Sequence, residues 1–151
     1  MTLAALPLAL VLASASWLWP VAPPHPITRG FVAPASEYGA GHRGIDLAAP
    51  PGTTVLSPAD GTVYFAGVVV DRPVLTLSQA GGVLSSYEPV ASALAVGTTV
   101  RRGEVIGTTA SGGHCSGGCL HFGVRLHGQY VSPLNYLGGV TRPVLLPTRE
   151  P

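Results

Sequence analysis

The chain has 151 residues, a length that fits one domain with a core of ordinary size. Its eight basic residues, all arginine, against seven acidic ones leave a formal charge of +1, which offers no basic face of the kind that nucleic-acid binding requires. The 20 glycines and 15 prolines imply many loops, while frequent Val, Leu and Ile exclude disorder along the whole length.

Residues 1–15 carry an apolar run from Leu3 to Leu12 followed by Ala13-Ser14-Ala15, an A-x-A cleavage pattern, and read as a secretory signal peptide. Left uncleaved, the run would extend through Trp19 as a membrane anchor. Either way the remainder is expected outside the cytoplasm. Residues 16–29, with Pro20, Pro23, Pro24 and Pro26, read as an extended proline-rich lead-in.

Tyr38 follows in a glycine-bounded loop, and then His42-Arg43-Gly44-Ile45-Asp46 places two metal-ligand side chains four residues apart. On an extended strand these would stand about 13 Å apart, too far to share an ion, so the backbone must bend, and Gly44 gives it the freedom to do so. Alone, HxxxD reads as a glycine-rich turn with a solvated His and Asp.

A strand is expected from near Asp46, and others at Thr53 to Leu56, Thr62 to Val70, Val74 to Ser78 and Val83 to Tyr87, the last two joined as a hairpin through Gln79-Ala80-Gly81-Gly82. Residues 88–98 read as an excursion, followed by two short strands about Gly103. Gly52-Thr53-Thr54-Val55 and Gly97-Thr98-Thr99-Val100 are identical, and each is followed by a turn, a glycine and a valine strand. Duplication and coincidence both account for this echo. Cys119 to Arg125 alternates with period two and reads as a strand, with a tight return at His127-Gly128 and an end to the fold at Ser132-Pro133-Leu134. No stretch keeps a helical apolar period, so the architecture is mostly β.

Three of the five histidines, His42, His114 and His121, weigh as ligands; His25 and His127, in a proline-rich lead and a turn, read as solvated. On its strand, His121 shares a face with Cys119.

The combination of GHRGIDLAAPPGTTVLSPADGTV with YEPV, VGTTVRRGEVIGT, a glycine-rich loop, CLHFGVR and YVSPLNYL, in this order, resembles the M23 metallopeptidases, the lysostaphin and LytM-like endopeptidases of peptidoglycan, in their secreted actinobacterial branch. The resemblance covers roughly residues 30–137, leaving 138–151 as a tail. It implies a single-domain antiparallel β-sheet or sandwich of the LytM-like, duplicated hybrid motif type, with long loops around a groove. It also implies a zinc endopeptidase that cleaves peptide cross-links of bacterial peptidoglycan in the cell wall; separately from the resemblance, the chain is expected to be a monomer. Carried over residue by residue, His42, Asp46 and His121 become the ligands of one Zn2+, with water in the fourth position. Tyr38 becomes the tyrosine that steadies an oxyanion.

Two positions depart from the family. Cys119 stands where the first histidine of HxH is expected, and Pro89 where a histidine of the Y-x-H-L segment is expected. His114 and Glu88 are the candidate catalytic replacements. The departures also admit an alternative, an inactive zinc-binding module that binds cell wall or regulates a wall-hydrolase or divisome partner. Cys115 and Cys119 are the only cysteines, which in a secreted chain argues for a disulfide between them. A thiolate zinc site of His114, Cys115, Cys119 and His121 is the rival, and it leaves His42 and Asp46 without a role.

Overall fold

A computed structural model of the chain describes residues 16–36 and 38–137. The expected signal peptide and the tail at 138–151 lie outside these, and among the described residues no helix is long and apolar enough to cross a membrane.

The strands are β1 (Ile27–Arg29), β2 (Ile45–Ala48), β3 (Thr54–Leu56), β4 (Gly61–Val69), β5 (Arg72–Gln79), β6 (Val83–Glu88), β7 (Val90–Ala91), β8 (Thr99–Val100), β9 (Val105–Thr109), β10 (Cys119–Leu126) and β11 (Gln129–Val131). Among the described residues, two single-turn 3-10 segments, Gly113–Cys115 and Pro133–Asn135, are the only helical interruptions of this all-β composition. One large antiparallel sheet runs β1-β2-β10-β6-β5-β4-β8, with β11 added on β10, and a small sheet runs β3-β9-β7. Both sheets feed one core: Ile45, Leu47, Leu75, Leu77, Leu120 and Phe122 from the large sheet meet Val55, Val90 and Ile106 from the small one.

Strand alternation sets which side chains are left for other work. In β6, Val83, Ser85 and Tyr87 are buried while Leu84, Ser86 and Glu88 face the other way. In β10, Leu120, Phe122 and Val124 enter the core, so Cys119, His121 and Gly123 take the opposite face. Because His121 pairs with Asp46 on β2 and with Glu88 on β6, three polar residues form one row across three neighbouring strands.

The hairpins follow their turn chemistry. Gln79 pairs with Val83 around Ala80-Gly81-Gly82, in which both glycines have positive φ. Leu126 pairs with Gln129 around His127-Gly128, both at positive φ, as a two-residue turn demands. The β4–β5 hairpin is longer than the run expected from the sequence, because Pro73 sits inside β5 and pairs with Val68.

The echoed segments occupy equivalent places. The first strand of each copy pairs with the second strand of the other: β3 with β9, and β8 with β4. The two short strands about Gly103 therefore do not pair with each other.

Residues 16–29 differ from the expected lead-in. Val21 is in the core, Trp17 packs on Tyr136 and Phe122 and bridges to Leu137, and β1 adds an edge to the large sheet. Prolines suit an edge, where one row of N–H groups has no ladder to supply. The fold continues past Leu134 to Leu137, which is buried and bridged to Trp17.

Candidate metal centre

His42 is pinned by a two-bond bridge, its N–H donating to Val32 O at 2.8 Å and its C=O accepting from Val32 N–H at 3.0 Å. Four residues on, β2 has begun, and the bend at Arg43-Gly44 turns the HxxxD stretch so that His42 Nε2 lies 3.1 Å from Asp46 Oδ1. Gly44 is there for space as well as freedom, since a Cβ would meet the Phe122 carbonyl and lie 2.8 Å from the His121 ring. Across the strand pair, His121 Nδ1 stands 2.7 Å from the same Asp46 Oδ1. All three residues are buried.

His114 reaches the same carboxylate from the 3-10 turn Gly113–Cys115, its Nε2 3.0 Å from both Oδ1 and Oδ2. Cys115 is bonded to Cys119, tying this turn to the start of β10. The donor atoms of His42, Asp46, His114 and His121 all lie within 4.8 Å of one another.

The donor set fits zinc. His42 Nδ1 is 2.7 Å from Gly30 O, and a carbonyl can only accept, so Nδ1 carries the hydrogen. A neutral His42 then turns its Nε2 lone pair toward Asp46 Oδ1, and two acceptors at 3.1 Å need a cation or a proton between them. A backbone carbonyl orienting the far nitrogen is the usual support of a metal-binding imidazole. Ligands about 2.0 Å from one tetrahedral ion stand about 3.3 Å apart, and the histidine nitrogens lie 2.7–3.1 Å from Asp46 Oδ1. Without an ion, burial raises the Asp46 pKa, but hydrogen bonds and charge from His121 and His114 outweigh it and bring it down to about 2. Bonded sulfurs are not thiolates, so the disulfide removes the rival His/Cys site.

The other expected site residues are not among the four converging donors. Glu88 shares the row of His121 but is bound by the Arg72 guanidinium, an ion pair that raises the arginine's pKa. Tyr38 is 90% exposed, and the aromatic walls of the groove above the centre, about 660 Å³, are Tyr64, Phe65 and Tyr130 instead. His25 stacks on Trp19 and His127 forms a hairpin turn, both apart from the cluster. Arg72 and Tyr130 had no visible signal in spacing: Arg72 holds Glu88, and the Tyr130 ring lies 5.6 Å from the guanidiniums of both Arg43 and Arg125.

The description of peptidase family M23 matches residues 40–133, which contain the whole cluster. The chain belongs to peptidase family M23. Among relatives of this M23 domain, an uncharacterized protein of Mycobacterium tuberculosis is 41% identical over 125 residues, 79% of this chain and 50% of that protein. The DD-carboxypeptidase/endopeptidase Mpg of Neisseria meningitidis serogroup B is 37% identical over 110 residues, 72% of this chain and 24% of Mpg. A zinc containing peptidase from Vibrio cholerae superposes with a TM-score of 0.69 at 25% identity, covering 80% of this chain and 40% of that one. The chain thus spans about half the length, or less, of the curated relatives it matches. Family and relatives together support a peptidase-like function for the M23 domain, and its fold is that of the lysostaphin-like β proteins.

Proposed function

We propose that the chain is a zinc-dependent endopeptidase that hydrolyses peptide cross-links of bacterial peptidoglycan outside the cytoplasm, secreted or wall-associated, as a monomer. The observation that carries this reading is the convergence of His42 Nε2 and His121 Nδ1 on one oxygen of Asp46, with the His42 tautomer set by Gly30. These three residues would hold the ion. Zinc bound there supplies Lewis-acid polarisation of a peptide carbonyl and lowers the pKa of a water to near 7.

The chain's own residues do the rest. Groove walls from Tyr64, Phe65 and Tyr130 accept an extended peptide beside the centre, and Arg29, Arg43 and Arg125 give that groove a cationic lining suited to peptide carboxylates. His114, the most exposed of the four donors, is the group placed to carry a proton to or from the reacting amide. Glu88 pairs with Arg72, and both line the groove.

A second reading, a zinc-binding module without turnover that binds wall or regulates a wall hydrolase, is favoured by Cys119 and Pro89, which replace the two histidines that the family resemblance implies. Purified chain incubated with sacculi and muropeptides decides between them. Hydrolysis that is abolished by a chelator, restored by zinc and absent in His42→Ala is the expected result. Zinc-loaded protein that leaves both substrates intact overturns the enzyme reading in favour of the second.

A further inference from the structure

The four donors are not held alike. His42, Asp46 and His121 have side chains only 4, 5 and 9% exposed, fixed by a backbone bridge or by strand register, whereas the His114 side chain is 43% exposed and rides on a turn outside both sheets. Yet its Nε2 stands 3.0 Å from each oxygen of Asp46, between the 2.7 Å of His121 Nδ1 and the 3.1 Å of His42 Nε2. The three rings meet edge-on, with interplanar angles of 62, 81 and 86°, an arrangement that aims their nitrogens inward instead of stacking their faces. One histidine suffices to neutralise one carboxylate, and three converge here.

We propose that His114 is a fourth, displaceable ligand of the metal, so that the resting centre is closed and opens when a substrate group takes the place of the His114 imidazole. This rests on the reading of the cluster as a zinc centre and adds its regulation. A centre with four protein ligands leaves no position for water or substrate, and one with three does. On displacement, Nε2 regains its lone pair beside the reacting amide, so one side chain serves in turn as a plug and as a proton carrier.

The tether sets where His114 waits. The disulfide fastens the residue after His114 to Cys119, two residues before His121, with the Cα atoms 4.9 Å apart. On the other side, Gly112 and Gly113, both at positive φ, pack against Asp71 and Arg72 so closely that a Cβ on Gly113 would lie 2.6 Å from the Arg72 side chain. Between two such anchors the imidazole can leave Asp46 by a short swing without unfolding either sheet.

The test uses the intact chain loaded with Zn2+, and with Co2+ as a spectroscopic probe. X-ray absorption of the unaltered zinc protein is expected to show three imidazoles and one carboxylate. Chelator competition is expected to show His114→Ala binding zinc at least about 10-fold more weakly, because even supporting groups around a metal are worth that much. The visible absorption of the Co2+ form should fall in His114→Ala as water enters and the coordination number rises. Cys115→Ser/Cys119→Ser should approach the His114→Ala affinity; unaltered affinity in that double variant overturns the tether. Two imidazoles on zinc, with His114→Ala at full affinity, overturn the closed centre and leave the three-ligand reading intact. Unaltered protein that retains no zinc removes both.

Discussion

Asp46 and His121 are cross-strand partners on β2 and β10, and their side chains meet at 2.7 Å between Oδ1 and Nδ1. The pairing register therefore builds half of the centre. A slip of one residue between these strands would send one of the two side chains into the core and dismantle the site.

The carboxylate of Asp46 should make the metal-free protein acid-sensitive in a defined window. Its pKa is pulled from 3.8 to about 2 by the histidines that face it, against the opposing effect of burial. A group whose pKa is lower folded than unfolded stabilises above the unfolded value, and loses that contribution as pH falls through the folded one. The amount is about 2 kcal/mol at neutral pH, present above about pH 4 and gone below about pH 2. Denaturant titrations of chelator-treated protein across this range should show the loss, and Asp46→Asn should lack it.

Gly44→Ala should damage fold and centre together. The added methyl meets the Phe122 carbonyl, which the β2–β10 ladder holds in place, and lies 2.8 Å from the ring of His121. Overpacking of this kind costs about 1–3 kcal/mol. A drop in Tm accompanied by reduced zinc content is expected; a variant with unchanged Tm and full zinc would show that the stretch gives way more easily than its packing implies.

Glu88→Gln separates a structural carboxylate from a general base. Its partner Arg72 is partly exposed, so the ion pair is screened and its loss should cost only about 1 kcal/mol. The pH dependence of hydrolysis should keep its shape, with the rate within a few-fold. A fall of about 10²-fold or more, the ordinary contribution of a general base, would instead give Glu88 the proton.

Arg125→Ala should weaken substrate capture more than turnover. Arg125 and Arg43 flank the Tyr130 ring at the edge of the groove, each guanidinium 5.6 Å from its centre. Removing one should raise KM several-fold for peptides bearing free carboxylates, leave kcat nearly unchanged, and flatten the dependence of KM on salt. Amidated peptides should show little difference between the two proteins.

The parts of this design legible from sequence are those that local pattern carries. HRGID and CLHFGVR announce a bend, a strand and two ligand-bearing faces, because spacing and alternation translate directly into direction. Turn chemistry likewise marks the hairpins at Gly81-Gly82 and His127-Gly128. What stays hidden depends on contacts between distant segments. Nothing near Glu88 says that Arg72, 16 residues away, will claim its carboxylate, and nothing near His114 says that it will stop 3.0 Å from an aspartate 68 residues back. Residues 16–29 mislead for a related reason: proline content describes the backbone, while the burial of Val21 and the packing of Trp17 depend on what lies beneath them.

The crossed pairing of β3 with β9 and β8 with β4 gives the two echoed segments a shared fate. A fragment that stopped at Val96 would deprive β3 of its partner and leave one side of β4 open, exposing backbone of the kind that recruits other chains. Each echo is thus the other's shield against self-association. Stable folding of the small sheet therefore waits until most of the chain, up to Thr109, is available to close it.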